Sequence, residues 1–339
     1  MMNKVYGIGL VALLFLTALA CSSSGTSLAG VDISGTGSGA TSESQVSGVI
    51  TQFGSIYVGG VQFDMTNASV TLDEQNSTDS ELRLGMWVNV ATESETTEST
   101  AVAKSVTYAS HLAGPVSELD AVNLNFKINS TFVTVDSETN YSSLNSFSLL
   151  TNGLEVIVSG EYSSDNIILA SYIDINKRKL DLKRDRDFFL VDVAIGRKIA
   201  LSGKFKELID TATLKVNEFT VVTSLDTVLE TPLNDLKKGM RVVVHGTKTD
   251  RNTIQAQKID TPPREDQSLV GVIEAIDLGI KSITIKDALY YVDRHTRFHN
   301  NSTALAGKFG FKELKLRDSV GISYVLKDSK RVIVKLNLL

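Results

Sequence analysis

The chain has 339 residues, room for two to four ordinary domains, and 42% of them are hydrophobic, enough to form real cores, which excludes an intrinsically disordered protein. A formal net charge of −5 and a pI near 5.5 argue against a general nucleic-acid binder, which carries a basic surplus. Only four prolines, abundant Val, Ile, Thr and Ser, and no long amphipathic helical period favour β structure.

Positions 1–20 hold Lys4 and then an apolar stretch short of the roughly 20 residues of a membrane span, so they read as a signal peptide. They end Leu16-Thr17-Ala18-Leu19-Ala20-Cys21, which resembles a bacterial lipoprotein box, with small Ala20 directly before the single cysteine of the chain. The resemblance implies cleavage before Cys21, a diacylglycerol on its sulfur and acylation of the new amino terminus. Two or more acyl chains anchor stably where one does not. Ser22 resembles an outer-membrane sorting signal, so the expected location is the bacterial outer membrane, with the membrane as first partner. Positions 21–46 then form a lipidated cysteine and a Ser/Gly-rich tether, a flexible coil with a reach of roughly 25–30 Å.

The remainder opens four times with a glycine inside an apolar strand, at Gly48, Gly114, Gly203 and Gly271. The intervals are 66, 89 and 68 residues, and the middle one falls to 67 when the charged stretch 177–198 is set aside. Regular spacing of this kind signals tandem domains. The boundaries are a first repeat at 47–109, a second at 112–176, a charged linker at 177–198, a third repeat at 199–260, a linker at 261–267 and a fourth repeat at 268–338.

Within each repeat the same order returns. The glycine-bearing strand leads to a tight hairpin, turning at Gly59-Gly60 in the first repeat and at or near Asn129-Ser130, Asn217-Glu218 and Lys286-Asp287 in the others. Some twenty mostly polar residues follow, long enough to hold a short helix. Next comes Leu-x-x-Gly with an alternating strand: Leu82 to Val90 around Gly85, Leu150 to Val158 around Gly153, and Leu236 to Val244 around Gly239. An alanine-bearing strand closes the repeat at Ala103, Ala170 and Ala256. Five strands with an insertion between the third and fourth predict an all-β chain of four OB-like Greek-key barrels. The order also admits a five-stranded sandwich or an SH3-like barrel.

These motifs resemble a family of roughly 65-residue β domains of unknown function, found in tandem in bacterial lipoproteins and secreted proteins. The resemblance spans about 47–338. The first three repeats carry it well, and the fourth departs, with Leu316-Arg-Asp318-Ser319 standing where Leu-x-x-Gly is expected. It implies a fold and almost no function.

Residue chemistry points away from catalysis. His295-x-x-x-His299 has helical metal-ligand spacing, with Asp293 as a third donor, yet it follows a strand. On a strand those rings stand roughly 13 Å apart, so exposed loop histidines, without metal or cofactor, are the expectation; the other two histidines are His111 and His245. Carboxylate pairs such as Asp73-Glu74 read as solvated loops. No Gly-x-Ser-x-Gly elbow or phosphate loop occurs. Cys21, once lipidated, leaves no thiol.

Aromatic residues on sheet faces (Phe53, Tyr57, Phe63, Phe126, Phe132, Phe205, Phe219, Tyr290, Tyr291) offer a glycan surface, as OB folds often do. Trp87, the single tryptophan, shares its strand face with Asn89, and its counterparts Glu155 and Arg241 look exposed. It is therefore either a binding aromatic or an inter-repeat contact. The stretch 177–198 reads as a solvated linker or a contact for anionic lipid or glycan. The function expected is a non-enzymatic envelope lipoprotein, a scaffold for protein partners or else a glycan-binding module, with no nucleic acid.

Overall fold

The computed structural model describes residues 44–92, 99–144, 146–164, 166–183, 193–262, 267–300 and 309–339. The expected signal peptide, Cys21 and nearly all of the expected tether lie outside them. The described chain is all-β, and its only helices are single 3-10 turns.

In the first repeat the opening strand Ser44–Gln52 pairs antiparallel with Ile56–Val58 through its second half and with Trp87–Thr92 through its first half. Ile56–Val58 pairs with Val61–Asp64, which lies parallel to Thr100–Tyr108, and that strand returns to Trp87–Thr92. The strand order 1-2-3-5-4-1 is that of an OB barrel. It recurs in the second repeat through Leu112–Asp120, Asn125–Ile128, Thr131–Thr134, Glu155–Ser164 and Ile167–Ile175. The third repeat has the same ring from Lys198–Leu208 to Thr253–Asp260. In the fourth, the opening strand is broken by a bend into Gln267–Val272 and Ala275–Asp277, and the remaining pairings keep the order. The insertions hold the short 3-10 helices Asp79–Glu81, Phe147–Leu149, Leu233–Asp235 and Phe311–Glu313.

The recurring opening glycine has a steric cause. A Cβ on Gly114 would stand 2.9 Å from Ile128, on Gly203 2.6 Å from Asn217, and on Gly271 2.3 Å from Ile285, each a residue of the repeat's own first hairpin. On Gly48 it would stand 3.3 Å from Val58 of its hairpin and, closer, 2.9 Å from Ser202 of the third repeat. The hairpin turns use left-handed backbone: Gly59 and Gly60 have φ of 59° and 78°, and Lys286 and Asp287 have 50° and 58°. The latter two lack the freedom of glycine, and the Glu274 carboxylate accepts both of their N–H groups, at 2.9 and 3.0 Å.

The repeats pack on one another. The first repeat touches each of the others. Its opening strand runs parallel to that of the third repeat, Gln45 to Ser47 facing Ile199 to Leu201, so the two barrels share one sheet. Gly85 O accepts from Ser171 Oγ of the second repeat at 2.7 Å. Phe53 bridges Gly310 of the fourth, and one continuous apolar core joins Ile50, Phe63 and Val88 to Ile283, Phe298 and Leu336. Barrels this small bury little surface alone, and docking supplies the remainder.

Several sequence boundaries move. The first strand begins at Ser44, inside the expected tether, and the third repeat begins at Lys198. The first part of the charged linker is docked rather than solvated. Arg178 Nη1 donates to Leu72 O at 2.7 Å, and Leu182–Lys183 pairs with the opening strand of the second repeat. Positions 184–192 lie outside the described residues.

In the fourth repeat the Leu-x-x-Gly counterpart is Leu314-Lys-Leu-Arg317, two residues before the expected Leu316. Leu314 follows the 3-10 turn as Leu82, Leu150 and Leu236 do. The Arg317 N–H bonds Ile273 O, as Gly85, Gly153 and Gly239 bond Ile50, Val116 and Phe205. Arg317 holds φ 71° where the glycines hold 83°, 88° and 87°.

Candidate functional site

Sheet sharing and docking bring cations from distant parts of the chain to one place. A cleft of about 750 Å³ is bordered by Gly59 and Gly60 of the first repeat and by residues 136–138 of the second. The third repeat adds Lys204, the Lys237-Lys238-Gly239 turn and Arg241, and the fourth adds Arg294, His295 and Arg297. Six cations there (Lys204, Lys237, Lys238, Arg241, Arg294 and Arg297) face two carboxylates, Asp136 and Glu138. The net charge of the chain is −5, so the cleft reverses the sign of the whole molecule.

Local backbone devices aim these side chains. The strand Ala288–Asn300 loses register with its parallel neighbour between Val292 and Arg297. Asp293 builds the irregularity: its Oδ1 accepts the His295 N–H at 2.9 Å and its own N–H donates to Thr296 Oγ1 at 2.9 Å, while the Thr296 hydroxyl donates to Ile333 O at 2.6 Å. The resulting bulge turns Arg294 and His295 to the cleft. Lys237 and Lys238 ride on the turn that Gly239 makes possible.

Glu138 ties the wall together. Its Oε2 lies 3.4 Å from Arg241 Nη2, and Arg297 bonds its Oε1. Burial by itself would raise the Glu138 pKa, but the Arg297 and Arg241 guanidiniums outweigh it and hold the carboxyl well below the usual range. Arg241 also stands 3.4 Å from Glu161. Outside the lining, Asp260 pairs with Lys258, approaches His245 at 3.3 Å and lies 3.9 Å from the wall residue Arg294. His245 and Lys258 outweigh its burial and pull its pKa to about 2. Lys237 and Lys238 are exposed, and among the described residues their ammonium groups have no hydrogen-bond or ion-pair partner. The three wall arginines thus have carboxylate partners, Glu138 for Arg241 and Arg297 and Asp260, at 3.9 Å, for Arg294, whereas the two rim lysines have none among the described residues.

The histidines are not exposed loop residues. His299 is buried at 5% exposure, and burial, aided by Lys335 and Arg297, pushes its pKa down to about 3. His295 is partly buried and also lowered, by burial first, with Arg294 adding and Asp293 opposing. His111 is buried between Trp87 and Tyr162, with ring centroids at 6.1 and 6.2 Å. Among the described residues no group of three His, Cys, Asp or Glu could hold a metal. Asp293, the expected third donor, is used in the bulge. Asp73 is likewise no solvated loop residue: it is buried and accepts the Ser110 N–H at 2.6 Å and the Ser110 hydroxyl at 2.8 Å.

Trp87 is 5% exposed and therefore presents no binding surface. Its indole N–H donates to Ser47 at 2.9 Å, its backbone N–H to Ser159 of the second repeat at 3.1 Å, and its ring packs with Ile199 and Leu201 of the third. The aromatic residues proposed for a glycan face are mostly core. Phe53, Tyr57, Phe63, Phe126, Phe205, Phe219 and Tyr290 are all buried, and only Phe132 is exposed. Nothing local in the sequence marks the cationic cleft, because its lysines and arginines come from separate repeats.

A family model described as domain of unknown function DUF5666 matches residues 113–174, 203–260 and 270–334, more than half of the chain. The chain belongs to this family. The DUF5666 matches include the fourth repeat, which the sequence motifs set apart, and omit the first. The first repeat carries Trp87 where its DUF5666 counterparts carry Glu155 and Arg241.

No curated protein matches the chain. Among solved structures it is similar to Ag(I)CusF, at 20% identity and TM-score 0.17, over 23% of this chain and 100% of that one. It is also similar to a multidomain protein with nucleic acid binding domains from Streptococcus pneumoniae TIGR4, at 10% identity and TM-score 0.18, covering 67% and 72%. The Drosophila Unr CSD456 chain gives 12% and 0.15, covering 67% and 96%. At these scores the likenesses carry no argument, and the DUF5666 barrel order rests on the pairings described above.

Proposed function

We propose that the chain is a non-enzymatic binding lipoprotein of the bacterial envelope, anchored through Cys21, whose interlocked repeats present a cationic cleft to an anionic partner. The observation that carries the reading is the six-to-two excess of cations over carboxylates in a cleft of about 750 Å³ on an acidic protein. That volume lies within the range of ligand sites, and the unpartnered Lys237 and Lys238 at its rim suit carboxylate or phosphate groups. Most of the rings that a glycan surface would use are buried, Phe132 and Tyr291 excepted, which favours the cleft over the glycan alternative.

Crosslinking and pull-down from native envelopes tests the cleft. The wild type should capture a partner that the triple variant Lys204→Glu, Lys237→Glu, Lys238→Glu loses, with capture weakened by added salt. Equal, salt-insensitive capture by both would remove the cleft from the function. The anchor has its own test. A fatty-acid probe supplied to growing cells should label the wild type and not Cys21→Ser, and equal labelling would end the lipoprotein reading.

A further inference from the structure

The first half of each opening strand has one edge turned away from its own barrel. In the first and third repeats these edges cover each other, Gln45 to Ser47 lying parallel to Ile199 to Leu201. In the second repeat Leu182–Lys183 covers the edge, pairing with Ala113 and Leu112. In the fourth repeat, among the described residues, Gln267–Val272 pairs only with Ser319–Lys327. Its burial differs accordingly. Positions just before the opening glycine are buried in the first three repeats, with Ser47 1%, Ala113 0% and Ser202 5% exposed, whereas Val270 is 61% exposed.

The surface beside this edge is apolar. Val272 is 46% exposed and Leu339 56%. Between Val270 and Leu339 lies Gly321, where a Cβ would meet both side chains at 3.9 Å. The strand carries no lysine, proline or inward charge of the kind that blunts free edges. An uncovered apolar edge recruits a strand.

We propose that this edge is a self-association surface, on which two copies of the chain pair through the fourth repeat, opening strand beside opening strand. The occupant is argued from the chain itself. The opening strands of two other repeats already pair edge to edge, and among the described residues the second repeat's edge is covered by Leu182–Lys183. A second copy supplies an equivalent free edge, and a two-fold axis between the copies sets the two strands antiparallel and closes the contact, so that a dimer rather than a filament results.

Sedimentation of the full chain in detergent, with substitutions on exposed positions that leave the cleft untouched, tests the surface. The wild type should show a concentration-dependent dimer, and Val270→Lys with Val272→Lys should be monomeric with an unchanged β circular-dichroism signal. Leu316→Lys, exposed elsewhere on the same repeat, should still dimerise. Centring the antiparallel pair on exposed Val270 places its Cα atoms in the two copies about 4.5–5.5 Å apart, within disulfide reach. Val270→Cys should therefore form an interchain disulfide on oxidation that the wild type, with Cys21 alone, and Leu316→Cys do not. A monomeric wild type, a dimer insensitive to the two lysines, or no Val270→Cys crosslink would overturn the proposal. A monomer whose edge is covered by its own chain would appear as the first of these.

Discussion

Gly85→Ala is expected to destabilise the protein far more than the same change at Gly153 or Gly239, although all three glycines close the same turn. Their φ values, 83°, 88° and 87°, are equally unsuited to alanine, so each substitution carries about 1–3 kcal/mol of backbone strain. Only at Gly85 does the new methyl group meet another repeat. Its Cβ would stand 2.1 Å from Ser171 O and 3.0 Å from Asn140, while at Gly153 and Gly239 nothing lies within 4 Å. Overpacking adds roughly 1–3 kcal/mol and separates the first repeat from the second. Arg317 offers the reverse experiment. It occupies the left-handed backbone at φ 71° without being glycine, so Arg317→Gly should be neutral or stabilising by up to about 1 kcal/mol. Urea unfolding of the four variants checks the order. Equal losses at Gly85, Gly153 and Gly239 would show that the first and second repeats are not docked as described.

Acidification from pH 6.5 to pH 5 is expected to cost about 2 kcal/mol of stability through His299. The sign follows from the two end states. In the unfolded chain the imidazole takes up a proton near its ordinary value of 6.5. In the folded chain burial and the neighbouring Lys335 and Arg297 delay this until about pH 3. Stability from the neutral ring is therefore fully present above pH 6.5 and is lost as pH falls towards 3. His295 acts in the same direction, its pKa also being lowered. Glu138, held below its ordinary value of 4.5, adds a loss only below that pH. Thermal melts at pH 7, 6 and 5 should show the decline in the wild type and a weaker one in His299→Gln. A flat profile for the wild type would mean that His299 is not buried as a neutral ring.

Much of the barrel was legible in the sequence, for local reasons. Alternating apolar residues mark strands because a strand exposes one face and buries the other. The opening glycines at 48, 114, 203 and 271 repeat because a residue of the repeat's own first hairpin lies against each of them. Gly-Gly at 59–60 announces a turn through its backbone alone. Where the local signal was borrowed by another residue type, the reading slipped. Arg317 takes a glycine's conformation, so no glycine marks the motif of the fourth repeat, which begins at Leu314 rather than Leu316. Glu274, far from the turn in sequence, supports Lys286 and Asp287.

The arrangement of the barrels was decided only in three dimensions. Trp87, Ser47 and Gly85 look like any strand or turn positions, and nothing in their neighbours tells that three other repeats close over the first. The parallel pairing of Gln45 to Ser47 with Ile199 to Leu201 joins segments more than 150 residues apart, and hydrophobic period reports only which face is apolar, not what covers it. The cleft has the same origin. Lys204, Lys237, Arg241, Arg294 and Arg297 each read as an ordinary surface charge, and they become a single site because docking brings two repeats' cations against Glu138 of a third. Periodicity and turn chemistry act over a few residues and so are written in the sequence. Charge convergence and burial between repeats depend on distances that only the folded chain sets.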